Sequence, residues 1–338
     1  MQMPRIITPM FAVLFFMAVS VGAATADPAA PVVVPVDVKS SAEPASEDTP
    51  AVVKKKVVYP TTVKVQVDVP YLGAARKDKA DIYSPLDHDK AKPLPAIIVI
   101  HGGGFNDGDK ARGRELNIAE NLTLKGYVCM SINYKLRRMK GQVTWPQCVY
   151  DAKAAVRYIR KEAANLGVDP DKIGVIGCSA GMNLSMMLAT TGPADGFDVI
   201  KDEPYQDIST KVNCAVGFYG AVDLMNYHDM KMFAKTRAEA PELYVKGSPI
   251  TYLDEKDPPM LLVHGTADTT VPLSQSETFL KIAKEKGANC TLEIIPGAPH
   301  TFDLQPKQRD LRPLVTAFFD LHLKGKAPTA EVATPASK

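Results

Sequence analysis

The stretch Gly177-Cys178-Ser179-Ala180-Gly181 sets a thiol beside a hydroxyl, and either group could attack an electrophilic carbon. A nucleophile at the tip of a sharp strand-to-helix turn needs residues without side chains two positions to either side. Counted from Ser179 those residues are Gly177 and Gly181; counted from Cys178 they are Ile176 and Ala180. The spacing assigns the nucleophile to Ser179 and makes Cys178 a packed neighbour. A serine hydroxyl attacks only when a base takes its proton, and the base needs an acid to hold its tautomer. In the chain order serine, aspartate, histidine, the acid falls at Asp268, in Leu261-Leu262-Val263-His264-Gly265-Thr266-Ala267-Asp268. The base falls at His300, in Gly297-Ala298-Pro299-His300-Thr301-Phe302.

Other candidates fit less well. Asp223 is the runner-up acid, whereas Asp254, Glu255 and Asp257 precede the apolar run at 260–264 and would sit at its wrong end. His88 lies between two aspartates, His101 belongs to a glycine turn, His228 falls in an insertion and His264 ends an apolar run. The turn His101-Gly102-Gly103-Gly104-Phe105 brings bare backbone N–H groups close to a ligand, which suits an oxyanion hole. Gly103 is the expected first donor with Gly104 in support, and Ala180, the residue after the nucleophile, is the second. A phosphate cradle would instead need a Lys-Ser or Lys-Thr pair after its glycines, which this turn lacks.

Such residues have to be presented by a sheet. Continuous apolar runs at 96–100, 127–132, 173–177, 212–218, 260–264 and 291–295 read as strands covered on both faces. The run at 63–69 alternates and reads as an antiparallel edge strand pairing with 79–83. Val149, Ala152, Val156, Ile159 and Ala163 share one face of a helix that begins after Pro146 and ends before Gly167. Strands separated by helices give an α/β fold with a mostly parallel, doubly wound sheet of about eight strands and helices on both faces. Chemistry in such sheets sits at the carboxyl ends of the strands, where each candidate residue falls.

Residues 1–26 carry Arg5, an apolar run and Ala24-Thr25-Ala26, the pattern of a signal peptide cut near Ala26, which predicts a secreted or periplasmic protein. Residues 27–60 are a Pro/Ala-rich linker expected to be disordered, residues 61–324 one catalytic domain, and residues 325–338 a flexible tail. Within the domain, residues 223–252 are expected to form a lid or a packed surface helix. Lys and Arg number 40 against 38 Asp and Glu, and cleavage removes only Arg5 from this balance, so neither nucleic acid nor an anionic membrane is an expected partner. No membrane insertion is expected after cleavage. The five cysteines match neither a zinc site nor a dense disulfide framework, and Cys129 and Cys214 read as buried small hydrophobes.

Taken together, residues 65–323 resemble the α/β-hydrolase superfamily, and within it the BD-FAE branch, bacterial esterases of feruloyl or acetyl groups on plant polysaccharide related to the hormone-sensitive-lipase-like esterases. Further motifs carry the resemblance: Ile132-Asn133-Tyr134-Lys135-Leu136, the helical Asp151–Tyr158 stretch, Phe218-Tyr219-Gly220, and Val271-Pro272 after Asp268. By that similarity Ser179, Asp268 and His300 form a triad, with Gly103, Gly104 and Ala180 around the oxyanion. The resemblance implies two-step hydrolysis of a small-molecule or carbohydrate-linked ester, with no metal and no organic cofactor. Two departures, Cys178 and Met182, stand where relatives often carry a polar residue and a second glycine, and are expected to reshape the acyl pocket. A peptidase of prolyl-oligopeptidase type shares the late motifs, and an inactive hydrolase-shaped binding module is the rival from outside enzymology.

Overall fold

A computed structural model describes residues 57–198 and 205–327. The expected signal peptide, the linker up to residue 56 and the tail from residue 328 lie outside the described residues. Eight strands form one sheet: β1 (Lys64–Val69), β2 (Ala80–Ser84), β3 (Leu94–Ile100), β4 (Val128–Ile132), β5 (Val168–Cys178), β6 (Cys214–Phe218), β7 (Met260–Gly265) and β8 (Cys290–Ile295). Their spatial order is β1-β2-β4-β3-β5-β6-β7-β8. β1 and β2 pair antiparallel with each other and β2 with β4, while every pair from β4 to β8 is parallel.

Alternate residues of β3 show why the central strands read as unbroken apolar runs. Ala96, Ile98 and Ile100 point into one core, Ile97 and Val99 into the other, and all five are buried. The first core is closed by α2 (Gln147–Lys161), α4 (Ala180–Thr190) and α6 (Ser274–Lys286); the second by α1 (Gly113–Thr123) and α7 (Arg312–Lys324). Short helices α3 (Ala163–Leu166) and α5 (Pro241–Lys246) complete the set. The α2–α3 segment ends on Gly167 in the left-handed region, φ +66°, which only glycine adopts without strain. Among the described residues no helix is long and apolar enough to cross a membrane.

Two expectations need adjusting. β1 does not keep a strict alternation: its register slips between Gln66 and Val69 at a bulge where Asp68 adopts φ +55°, and its side chains are mostly exposed. The bulge aims Asp68 at Lys110 Nζ, 3.0 Å away, and gives its N–H to Asp81 Oδ1. At the amino-terminal edge Tyr59 lies before the boundary at 61, yet its hydroxyl donates to Asp81 Oδ2 at 2.8 Å, so the packed domain takes in that residue. All five cysteines are buried free thiols.

Candidate active site

Ser179 sits between β5 and α4 with φ +54° and ψ −117°, a strained conformation held by its N–H bonding Phe218 O at 2.8 Å. The elbow is tight enough to test the choice between thiol and hydroxyl. A Cβ added to Gly177 would fall 1.9 Å from Gly181 O, and one added to Gly181 would fall 2.1 Å from Ile100 O. Both flanking positions must therefore be glycine, as the serine register demands. Cys178 points away into the second core, 1 % exposed, and burial pushes its thiol up to about 12, which removes it as a nucleophile.

His300 stands in the loop after β8 and bridges the other two groups. Its Nε2 lies 3.0 Å from Ser179 Oγ and its Nδ1 lies 2.6 Å from Asp268 Oδ2. With the proton on Nδ1, the imidazole accepts from the serine and donates to the carboxylate. The Asp268 side chain, in the loop after β7, is fully buried, and its Oδ1 accepts the N–H groups of Thr270 and Val271, each at 2.9 Å. With His300 on Oδ2, both oxygens of this enclosed carboxylate have hydrogen-bond donors. The acid and base loops come this close because Gly265 has no side chain: a Cβ there would lie 2.0 Å from Ala298 O. Asp223, the alternative acid, is instead turned onto Asn226, bonding its N–H and side-chain amide.

The glycine turn packs directly against the nucleophile. A Cβ on Gly102 would lie 3.0 Å from Ser179 Cβ, and Gly103 and Gly104 take φ of +116° and +59°. Gly103, Gly104 and Ala180 line one cavity with Ser179 and His300, and the N–H groups of the two glycines donate to no protein acceptor among the described residues. His101 anchors the turn from inside: its Nδ1–H donates to Gly102 O at 2.7 Å and its ring stacks on Tyr134 at 4.4 Å.

The cavity measures about 580 Å³. Its far wall comes from the insertion, through Leu224, Tyr227, His228 and Met230. That segment is packed: Met232, Phe233 and Tyr244 are buried, Phe233 meets Trp145 edge-on at 5.7 Å, and Tyr227 OH donates to Thr270 O at 2.8 Å. Met182 and Cys178 do not shape the cavity as expected, because both are buried away from it. Room for Met182 comes from Gly217 and Gly220, where a Cβ would strike its side chain at 2.6 and 2.5 Å.

Sequence reasoning passed over two partners. His264, read only as a strand end, is fully buried beneath Asp268; its Nε2–H faces Val271 O at 3.0 Å and Asp268 Oδ2 at 3.3 Å, and its Nδ1 accepts the Ser276 hydroxyl at 2.8 Å. Burial lowers its pKa, which keeps it neutral. Its only mark in the sequence is a position four residues before the acid, a spacing too ordinary to single it out. Tyr219, in the Phe218-Tyr219-Gly220 motif, packs edge-on against the His300 ring at 4.8 Å and donates its hydroxyl to Phe302 O.

The BD-FAE family profile matches residues 80–282. Esterase LipQ of Mycobacterium tuberculosis (strain ATCC 25618 / H37Rv) is 30% identical over 248 residues, which cover 70% of this chain and 57% of that protein. The chain thus spans little more than half the length of that curated relative. Among solved structures, a truncated form of a carbohydrate esterase from gut microbiota superposes with a TM-score of 0.70 at 26% identity, covering 80% of this chain and 100% of that one. Thermogutta terrifontis esterase 2 phosphorylated by paraoxon gives a TM-score of 0.63 at 27% identity, covering 82% and 97%. The chain belongs to the BD-FAE family and has the α/β-hydrolase fold.

Proposed function

We propose that this protein is a serine carboxylesterase acting on small acyl esters, acetyl or aryl, of the kind borne by polysaccharide. The observation that carries the reading is His300 bridging Ser179 at 3.0 Å and Asp268 at 2.6 Å beside the open amides of the glycine turn. Ser179 Oγ attacks the ester carbonyl while His300 Nε2 takes its proton, and the charge that develops on the carbonyl oxygen rests on the N–H groups of Gly103, Gly104 and Ala180. His300 returns the proton to the departing alcohol. Water then repeats the attack on the acyl-enzyme and frees the acid.

Likeness to the gut carbohydrate esterase supports a sugar-borne ester, and a cavity of about 580 Å³ suits one acyl group with the adjoining ring of its alcohol. Hydrolysis of 4-nitrophenyl acetate beside an aminoacyl 4-nitroanilide separates esterase from peptidase. Labelling by a fluorophosphonate tests the nucleophile: wild type is expected to label and Ser179→Ala to remain blank. A wild-type protein that neither labels nor hydrolyses esters would favour the inactive binding module. The amino-terminal pattern supports export, and amino-terminal sequencing of the mature protein is expected to begin at Asp27.

A further inference from the structure

The esterase reading leaves the most highly charged part of the cavity wall without a task. Arg112 and Arg114 flank Gly113, the first residue of α1, and both line the cavity, as does Lys231. Asp229 is the one carboxylate in that lining among the described residues. Gly102 separates Arg114 from the nucleophile: a Cβ there would lie 3.0 Å from Ser179 Cβ and 3.2 Å from Arg114 Nη2. Guanidinium and nucleophile therefore face each other across a residue without a side chain.

The charges are only partly neutralised. Arg114 Nε and Nη2 both reach Glu115 Oε1 at 2.8 Å, while Nη1 donates to no protein acceptor among the described residues. Arg112 pairs with Asp107 at 2.6 Å, both well exposed, and Asp229 pairs with Arg237 at 3.2 Å outside the cavity lining. Lys231 has no carboxylate within 4.0 Å among the described residues, so the wall retains positive charge.

We propose that the ester this site hydrolyses carries a carboxylate, on its acid or its alcohol half, held by the Arg114 guanidinium within the positive field of Arg112 and Lys231. For a sugar-borne ester the class is an acylated uronic acid; for the acid half it is a dicarboxylate hemiester. The inference rests on the esterase reading. Two probe pairs separate the sources: 4-nitrophenyl hemiglutarate against 4-nitrophenyl valerate, and 4-acetoxybenzoate against its methyl ester. At low ionic strength, one anionic probe is expected to exceed its neutral partner in kcat/KM by about tenfold, with the advantage shrinking as salt screens the field. Lys231→Gln, on the exposed rim, and the paired Arg114→Gln/Glu115→Gln variant, which leaves no lone buried charge, should each lower that ratio at least about threefold. Anionic-to-neutral ratios at or below one for both pairs, with neutral esters still hydrolysed, would overturn the inference alone. So would a ratio indifferent to both variants. Failure to hydrolyse any of the four probes would overturn the esterase reading and this one with it.

Discussion

The His101 imidazole should make this fold acid-labile by a calculable amount. Its ring is fully buried against Tyr134, its Nδ1–H is committed to Gly102 O, and its Nε2 is buried without a partner. Burial lowers its pKa from 6.5 to about 4. A second proton, on Nε2, would need an acceptor where none is built. The unfolded chain takes up a proton as pH falls through 6.5, whereas the fold refuses one until about 4. Stability present at neutral pH is therefore lost across that window, by about 1.4 kcal/mol at pH 5.5 and about 2.5 kcal/mol at pH 4.5. Urea unfolding of wild type and His101→Asn at pH 7.5, 5.5 and 4.5 measures it. Asparagine can still donate to Gly102 O but does not titrate, so the variant starts less stable and then loses less on acidification, by those amounts. His264, also lowered by burial, and all carboxylates remain in both proteins, so only the difference in slope counts. Parallel stability curves for the two proteins would refute the reasoning. The consequence is functional, because His101 roots the turn that carries Gly103 and Gly104.

The proposed triad predicts that Asp268→Asn lowers kcat by roughly 10³ to 10⁴ with little change in KM, since it removes the charge holding the His300 tautomer; steady-state hydrolysis of 4-nitrophenyl acetate checks it. His264→Ala should slow acylation about tenfold with KM nearly unchanged, and His264→Gln should recover part of that, because the ring positions Asp268 without touching substrate; a merely structural role would instead lower the fraction of active sites titrated, leaving kcat per site unchanged. Gly181→Ala drives a Cβ to 2.1 Å from Ile100 O, so it should destabilise the domain by at least about 2 kcal/mol, seen as a lower urea midpoint.

The parts of the site legible in the sequence are those where chemistry and backbone sterics act within a few residues. Gly177 and Gly181 are forced by contacts of 1.9 and 2.1 Å inside one elbow, and that local demand is what singles out Ser179 from Cys178. Asp268 and His300 follow from the order of strands, because a parallel sheet delivers every strand's end to the same edge. The β1 bulge at Asp68 escaped because its cause lies far away in the chain, in Lys110 and Asp81, and an alternating pattern looks the same with or without it. Met182 misled for a related reason. Its effect depends on whether Gly217 and Gly220, more than thirty residues on, leave a hole behind the elbow.

His264 and Arg114 belong to a third kind, polar residues whose partners stand beside them in sequence yet whose purpose appears only in space. A histidine four residues before an aspartate, or an arginine next to a glutamate, is an ordinary pattern in any chain. What distinguishes these two is enclosure beside the reacting groups, His264 fully buried and Arg114 half-buried in the cavity wall, where a charge or a hydrogen bond acts with less screening than on the open surface. The same enclosure explains how one sheet edge can host two opposite demands. Behind His300 the carboxylate of Asp268 favours positive charge on the imidazole, while Arg114, across Gly102 from Ser179, favours negative charge on whatever sits before the nucleophile. Both fields stabilise the separation of charge that ester cleavage creates, an imidazolium on one side of Ser179 and an oxyanion on the other, so the arginine that would select an anionic substrate also lies where it can lower the barrier for a neutral one.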